Sequence, residues 1–101
     1  MGEFNENSIM EKAIKRRLAR AKERAILDLK RIGYKIIPSD NSSFCILATR
    51  KNEVRFIRVI VDEITEDDIK LTKDYELPSG CVKEIWCKKL NQKDFEIKEV
   101  F

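Results

Sequence analysis

The stretch VRFIRVIVD, Val54 to Asp62, is the most apolar run in the chain, and Arg58 sits in its middle. A near-continuous apolar run of this length, with turn residues before it, fits a strand covered on both faces. Helices laid on a sheet are the usual cover, so its neighbours should supply further strands and at least two helices.

Working outward, Arg50-Lys51-Asn52-Glu53 is a turn, and Phe44 to Thr49 (FCILAT) is a second strand ahead of it. Tyr34 to Pro38 (YKIIP) is a short strand stopped by proline, and Ser39-Asp40-Asn41-Ser42 is a turn by composition. Before these, Ser8-Ile9-Met10-Glu11 fits a capping box that opens a helix. Met10, Ile14, Leu18, Ala21, Ala25, Leu29 and Ile32 recur at steps of four and three, one apolar stripe on a helix about 24 residues long, closed by Gly33. On the other side of Val54–Asp62, Thr65-Glu66-Asp67-Asp68 starts a second helix, its carboxylates favoured by the helix dipole, and Pro78-Ser79-Gly80 ends that region. Val82 to Lys88 (VKEIWCK) and Asp94 to Val100 (DFEIKEV) are the last strands, joined through Leu90-Asn91-Gln92-Lys93. The order is helix, three strands, helix, two strands, which predicts an α/β (α+β) chain with helices flanking a mixed sheet.

The length of 101 residues suits one domain, expected over residues 8–101, with the polar, aperiodic residues 1–7 as a flexible lead. Apolar residues make up 43% and charged residues 39%, so a core is possible under a surface far richer in charge than usual. The chain has no histidine, and its three cysteines, Cys45, Cys81 and Cys87, form no CxxC pair. Imidazole acid–base chemistry and the usual zinc sites are therefore excluded. The odd cysteine count and the lack of a signal-like segment after Met1 point to a reducing cytoplasm, and no run approaches a membrane span. The net charge of +3 is unevenly spread: Ser8 to Gly33 holds nine Lys and Arg against three acids, a local +6. A basic helix on a near-neutral body is either an electrostatic footprint for nucleic acid or a solvated face with scattered ion pairs.

A helix, then GYKIIPSD, FCILATR, VRFIRVIVD, a second helix and a closing KEIWCKKLNQKDFEIKEV hairpin resemble the core of the PD-(D/E)XK nuclease superfamily, the restriction-endonuclease and Holliday-junction-resolvase fold, over roughly Ser8 to Phe101. The resemblance implies a restriction-endonuclease-like sheet. It also implies a metal-binding aspartate where this chain has Cys45, a glutamate where it has Arg58, and a lysine where it has Ile60. Such nucleases hold Mg²⁺ with hard carboxylate oxygens and position water with the lysine. Cysteine is a soft ligand, arginine repels a cation and isoleucine does neither job, so all three positions depart from the pattern. Three other D/E-x-K matches, at Asp28, Asp68 and Glu96, carry little information, because a chain with 18 acids and this many lysines holds about two by chance.

Two roles stay open for Arg58. A guanidinium matches phosphate geometry, and it equally suits an ion pair with a nearby acid such as Asp62 or Glu63 at the sheet rim. Trp86 is likewise a sheet aromatic or a base-stacking platform. Three functions follow as expectations. The first is nucleic-acid binding without cleavage, DNA above all, through Arg16, Arg17, Arg20 and Arg24 with Arg50, Lys51, Arg55 and Arg58. The second is a Mg²⁺-dependent endonuclease with carboxylates relocated to Asp40, Asp62 and Glu63; otherwise no cofactor is expected. The third is a protein-interaction module or homodimer joined through the edge strands of the last hairpin.

Overall fold

In a computed structural model of the chain, the described residues are 6–37 and 45–101, with side chains from residue 9 and from residue 46 onward. Asp40 and the expected Ser39–Ser42 turn lie outside them. Helix α1 spans Glu6–Arg31, β1 Lys35–Ile37, β2 Cys45–Arg50, β3 Glu53–Val61, α2 Glu66–Asp74, β4 Val82–Lys88 and β5 Glu96–Glu99. The expected element order holds. Helix α1 begins two residues before Ser8, a difference within the fraying of a helix end.

The five strands form one mixed sheet in sequence order, β1-β2-β3-β4-β5. The connection between β2 and β3 is only Lys51-Asn52, with Lys51 at φ 54°, so these strands can pair only as a tight antiparallel hairpin. Between β3 and β4 the chain crosses over through α2, which lets the two pair parallel, and the two outer pairs are antiparallel.

The alternation along β3 sorts the core into two layers. Ile57 and Val59 are fully buried with Ala21, Ala25 and Leu29 of α1, Ile46 and Ala48 of β2, and Trp86 of β4. On the opposite face Ile60 packs with Ile85, Cys87 and Val100, and with Ile64 and Ile69 at α2. Each face of β3 therefore carries a helix, as a strand apolar on both sides requires. Trp86 is 5% exposed, tilted against Phe95 with ring centroids 5.3 Å apart, and its indole N–H reaches Glu84, so it is a core residue and not a stacking platform.

The apolar stripe of α1 is covered only in part. Ala21, Ala25 and Leu29 are buried, while Met10, Ile14 and Ile32 are exposed. A 26-residue helix is roughly 39 Å long and the nine-residue β3 roughly 30 Å, so about six residues at the amino-terminal end of α1 extend past the strand. Gly33, at φ 94°, closes the other end: its N–H donates to the Lys30 carbonyl and that of Tyr34 to the Leu29 carbonyl, a Schellman ending that favours a residue without a Cβ. Helix α2 opens with a complete capping box, Thr65 Oγ1 accepting from the Asp68 N–H and the Asp68 carboxylate accepting from the Thr65 N–H, each at 3.1 Å. Among the described residues no helix is long and apolar enough to cross a membrane.

Candidate nucleic-acid interface

Helix α1 runs antiparallel to β3. Its Arg17 meets Asp62 just past the carboxyl end of β3, while at its far end the Ile32 carbonyl accepts from Arg50 at 2.9 Å. Because β3 and β4 are parallel, with Val61 opposite Lys88, the stretch of α1 from Arg17 to Arg24 also faces the chain leaving β4. A cleft of about 360 Å³ opens there between Arg17, Arg20 and Arg24 of α1 and Lys88 to Gln92 at the end of β4 and just beyond it, with Ala21 and Val61 between them. Five cations line it. The steps of three and four between the arginines put them on one side of the helix, and Arg16 is exposed one turn before Arg20.

The cleft's acids are few and peripheral. Asp62 holds Arg17 through two contacts, 2.5 and 3.1 Å. Hydrogen bonding from Arg17 keeps the Asp62 carboxyl below its ordinary range, and Asp62 in turn holds the guanidinium above its own. Arg24 bonds Asp28 at 3.1 Å and Lys89 bonds Glu96 at 2.8 Å, which raises the Lys89 ammonium above its ordinary value. Lys88 donates to the Gln92 and Lys93 carbonyls and so fastens the turn. Arg20 has no acidic partner among the described residues. Asp62, at φ 74°, and Asn91, at φ 65°, both sit in the left-handed region that Asp and Asn tolerate best, one at each side of the cleft.

At the other end of the sheet the polar groups are closed on one another. Tyr34, 4% exposed, donates to Glu53 at 2.6 Å and lies under Arg50, whose guanidinium is 4.5 Å from the ring centroid. Arg55 bonds Glu53 at 2.7 Å and both oxygens of the buried Glu84 at 2.9 Å. Burial pulls the Arg55 guanidinium down, but the bonds to Glu53 and Glu84 outweigh it and hold it above its ordinary value. Tyr34 and Arg55 together keep Glu53 below the usual carboxylate range, and burial pushes the Tyr34 phenol up. Lys51 is exposed in the adjoining turn. The eight cations drawn together from the sequence are thus placed in separate groups: Arg16, Arg17, Arg20 and Arg24 at the cleft end, and Arg50, Lys51 and Arg55 roughly one strand length away.

Arg58 stands apart from both groups, on the α2 face. Its Nε lies 3.5 Å from Asp68 Oδ1, with both side chains half-buried. The ion-pair role is therefore the one the structure favours, but with Asp68 in place of Asp62 or Glu63. The reason is the capping box: Asp68, fixed as the third helical residue of α2, points its carboxylate at the sheet, whereas Asp62 faces Arg17 on the α1 side. Cys45 is the register partner of Arg58 across β2 and β3. Ile60, 8% exposed, fills the core under α2. Glu63 follows Asp62, its N–H donating to the Val61 carbonyl, and the two do not converge with a third acid among the described residues. Asp28, Asp68 and Glu96 of the D/E-x-K matches are each tied to a cation.

The sequence marks Leu90–Lys93 as the connection between the last strands, but it does not place Lys88, Lys89 or that turn in a site. The only signal was the Lys-Lys pair ending an apolar strand, and nothing in the sequence says that this strand lies beside β3 and parallel to it. No protein-family model, curated protein or solved structure matches the chain.

Proposed function

We propose that this chain is a nucleic-acid-binding domain on a PD-(D/E)XK nuclease-like core that lacks the metal-holding trio, and that it grips phosphates at the α1 cleft without cutting them. The observation that carries the reading is the gathering of Arg17, Arg20, Arg24, Lys88 and Lys89 from two elements distant in sequence around one cleft. It lies at the carboxyl ends of β3 and β4, the sheet's parallel pair, where open α/β sheets commonly bind ligands. The mixed sheet flanked by helices, in the order the resemblance implies, supports the nuclease-like core. At the positions carried over from that family, Arg58 faces Asp68 and Ile60 packs in the core, an arrangement suited to stability rather than to Mg²⁺. Asp62 is occupied by Arg17, which weighs against a relocated metal site built on it.

The test is a titration into labelled duplex and branched DNA at low and moderate salt, with and without Mg²⁺, followed by a gel of the products. Binding that falls steeply with salt and leaves the DNA intact is the expected result, since displaced counterions drive phosphate contacts. Substituting Arg16, Arg17 or Arg20 by alanine should each lower the salt slope by about 1. Cleavage abolished by Asp62→Ala would move the reading to the Mg²⁺ endonuclease.

One observation favours a second reading, a protein-interaction module: β5 is an edge strand with all four side chains exposed, Ile97 among them. A stable dimer that ignores DNA would select it.

A further inference from the structure

The two walls of the cleft differ in kind. The α1 wall offers guanidinium groups, of which Arg20 is free of acidic partners among the described residues. The opposite wall, Leu90-Asn91-Gln92, offers an apolar side chain 67% exposed and two amides, and Ala21 and Val61 between the walls are apolar. A surface that met only phosphates would need neither. Cations on one side, with aliphatic surface and amide donors and acceptors on the other, match the two halves of one nucleotide, the phosphate and the base. The volume of about 360 Å³ lies at the small end of ligand pockets, which run from roughly 300 to 1,000 Å³, and so suits one such unit. A base enters a pocket of this kind only when it is not stacked and paired within a duplex.

From these observations, and resting on the nucleic-acid reading above, we infer that the α1 cleft takes a single unpaired nucleotide, at a strand end or a branch point. Its phosphate lies at Arg17 and Arg20 and its base lies against Leu90, with Asn91 and Gln92 at the base edge. A guanidinium plane can also cover a base face, which gives Arg20 a second contact.

The experiment compares a blunt duplex, the same duplex with a short single-stranded overhang, and that overhang made abasic, by anisotropy at fixed salt. The overhang should bind roughly tenfold more tightly than the blunt duplex, in keeping with one base contact, and the abasic overhang should lose the gain. Leu90→Ser, on an exposed side chain, should shrink the preference while leaving the salt slope and the melting temperature unchanged. As a second measurement, the backbone amide resonances of Leu90, Asn91 and Gln92 should shift with the overhang and not with the abasic form. Equal binding of blunt, overhang and abasic forms, with these amides unmoved, overturns the inference and leaves phosphate binding standing. No binding to any of the three removes the nucleic-acid reading itself.

Discussion

The two ends of the sheet treat their arginines in opposite ways. At the β2–β3 turn, Arg55 is shared between Glu53 and Glu84, and Arg50 lies on Tyr34 and donates to the Ile32 carbonyl just past α1. At the carboxyl ends of β3 and β4, five cations meet in a cleft whose acids lie at its margins. The first group is closed on buried or half-buried acids, whereas the second lines a cleft in which Arg20 has no acidic partner among the described residues. What separates them is the partner each guanidinium finds, and a count of cations along the chain does not reveal it.

The largest effect is expected at the closed end. Arg55→Ala leaves Glu84, 7% exposed, without its cation, and stripping one partner from a buried pair should cost roughly 3 kcal/mol, read as a lower urea midpoint. A loss below about 0.5 kcal/mol would class this pair with ordinary surface bridges and erase the contrast.

Arg58 offers an intermediate case. Arg58→Met keeps the aliphatic stem but removes the contact to Asp68, which retains its capping bonds, so a loss of about 1 kcal/mol is expected. DNA affinity should not change. A fall in affinity with no loss of stability would put Arg58 among the ligand-facing cations and revive the phosphate role.

At the open end the balance reverses. Arg20→Ala should leave stability within about 0.5 kcal/mol of the parent while reducing the slope of binding against salt by about 1. If it unfolds the protein instead, Arg20 has a structural partner and the open end is not open.

Acid titration sharpens the comparison with the smallest effect. Asp62 and Glu53 both have carboxyl groups lowered by their hydrogen-bond partners, Arg17 in one case and Tyr34 with Arg55 in the other. The unfolded chain therefore binds more protons than the folded one near those values. Their contribution is present above about pH 4 and is lost as the pH falls through the folded values. With no histidine in the chain, stability should stay nearly level between about pH 5 and pH 8. Urea midpoints across the acid range should show a shallower decline in Asp62→Asn and in Glu53→Gln, and a sigmoidal step near neutrality would contradict this account.

The sequence by itself determined the elements and their order. The double-sided apolar pattern of Val54–Val61 demanded a covered strand, Thr65 with Asp68 fixed the start of α2, and Gly33 fixed the end of α1, because periodicity and capping are local properties. It also placed the basic residues of α1 on one helix. Only the tertiary structure decided which of those cations lie together. The parallel pairing of β3 with β4 brings Lys88 and Lys89 to Arg17 and Arg20, and the Tyr34–Glu53–Arg55–Glu84 contacts draw together residues up to fifty positions apart. Asp68, not Asp62, answers Arg58, since a capping geometry and a strand register must coincide to make that pair. An ion pair is a matter of a few ångströms across elements, and local sequence pattern carries no measure of that distance.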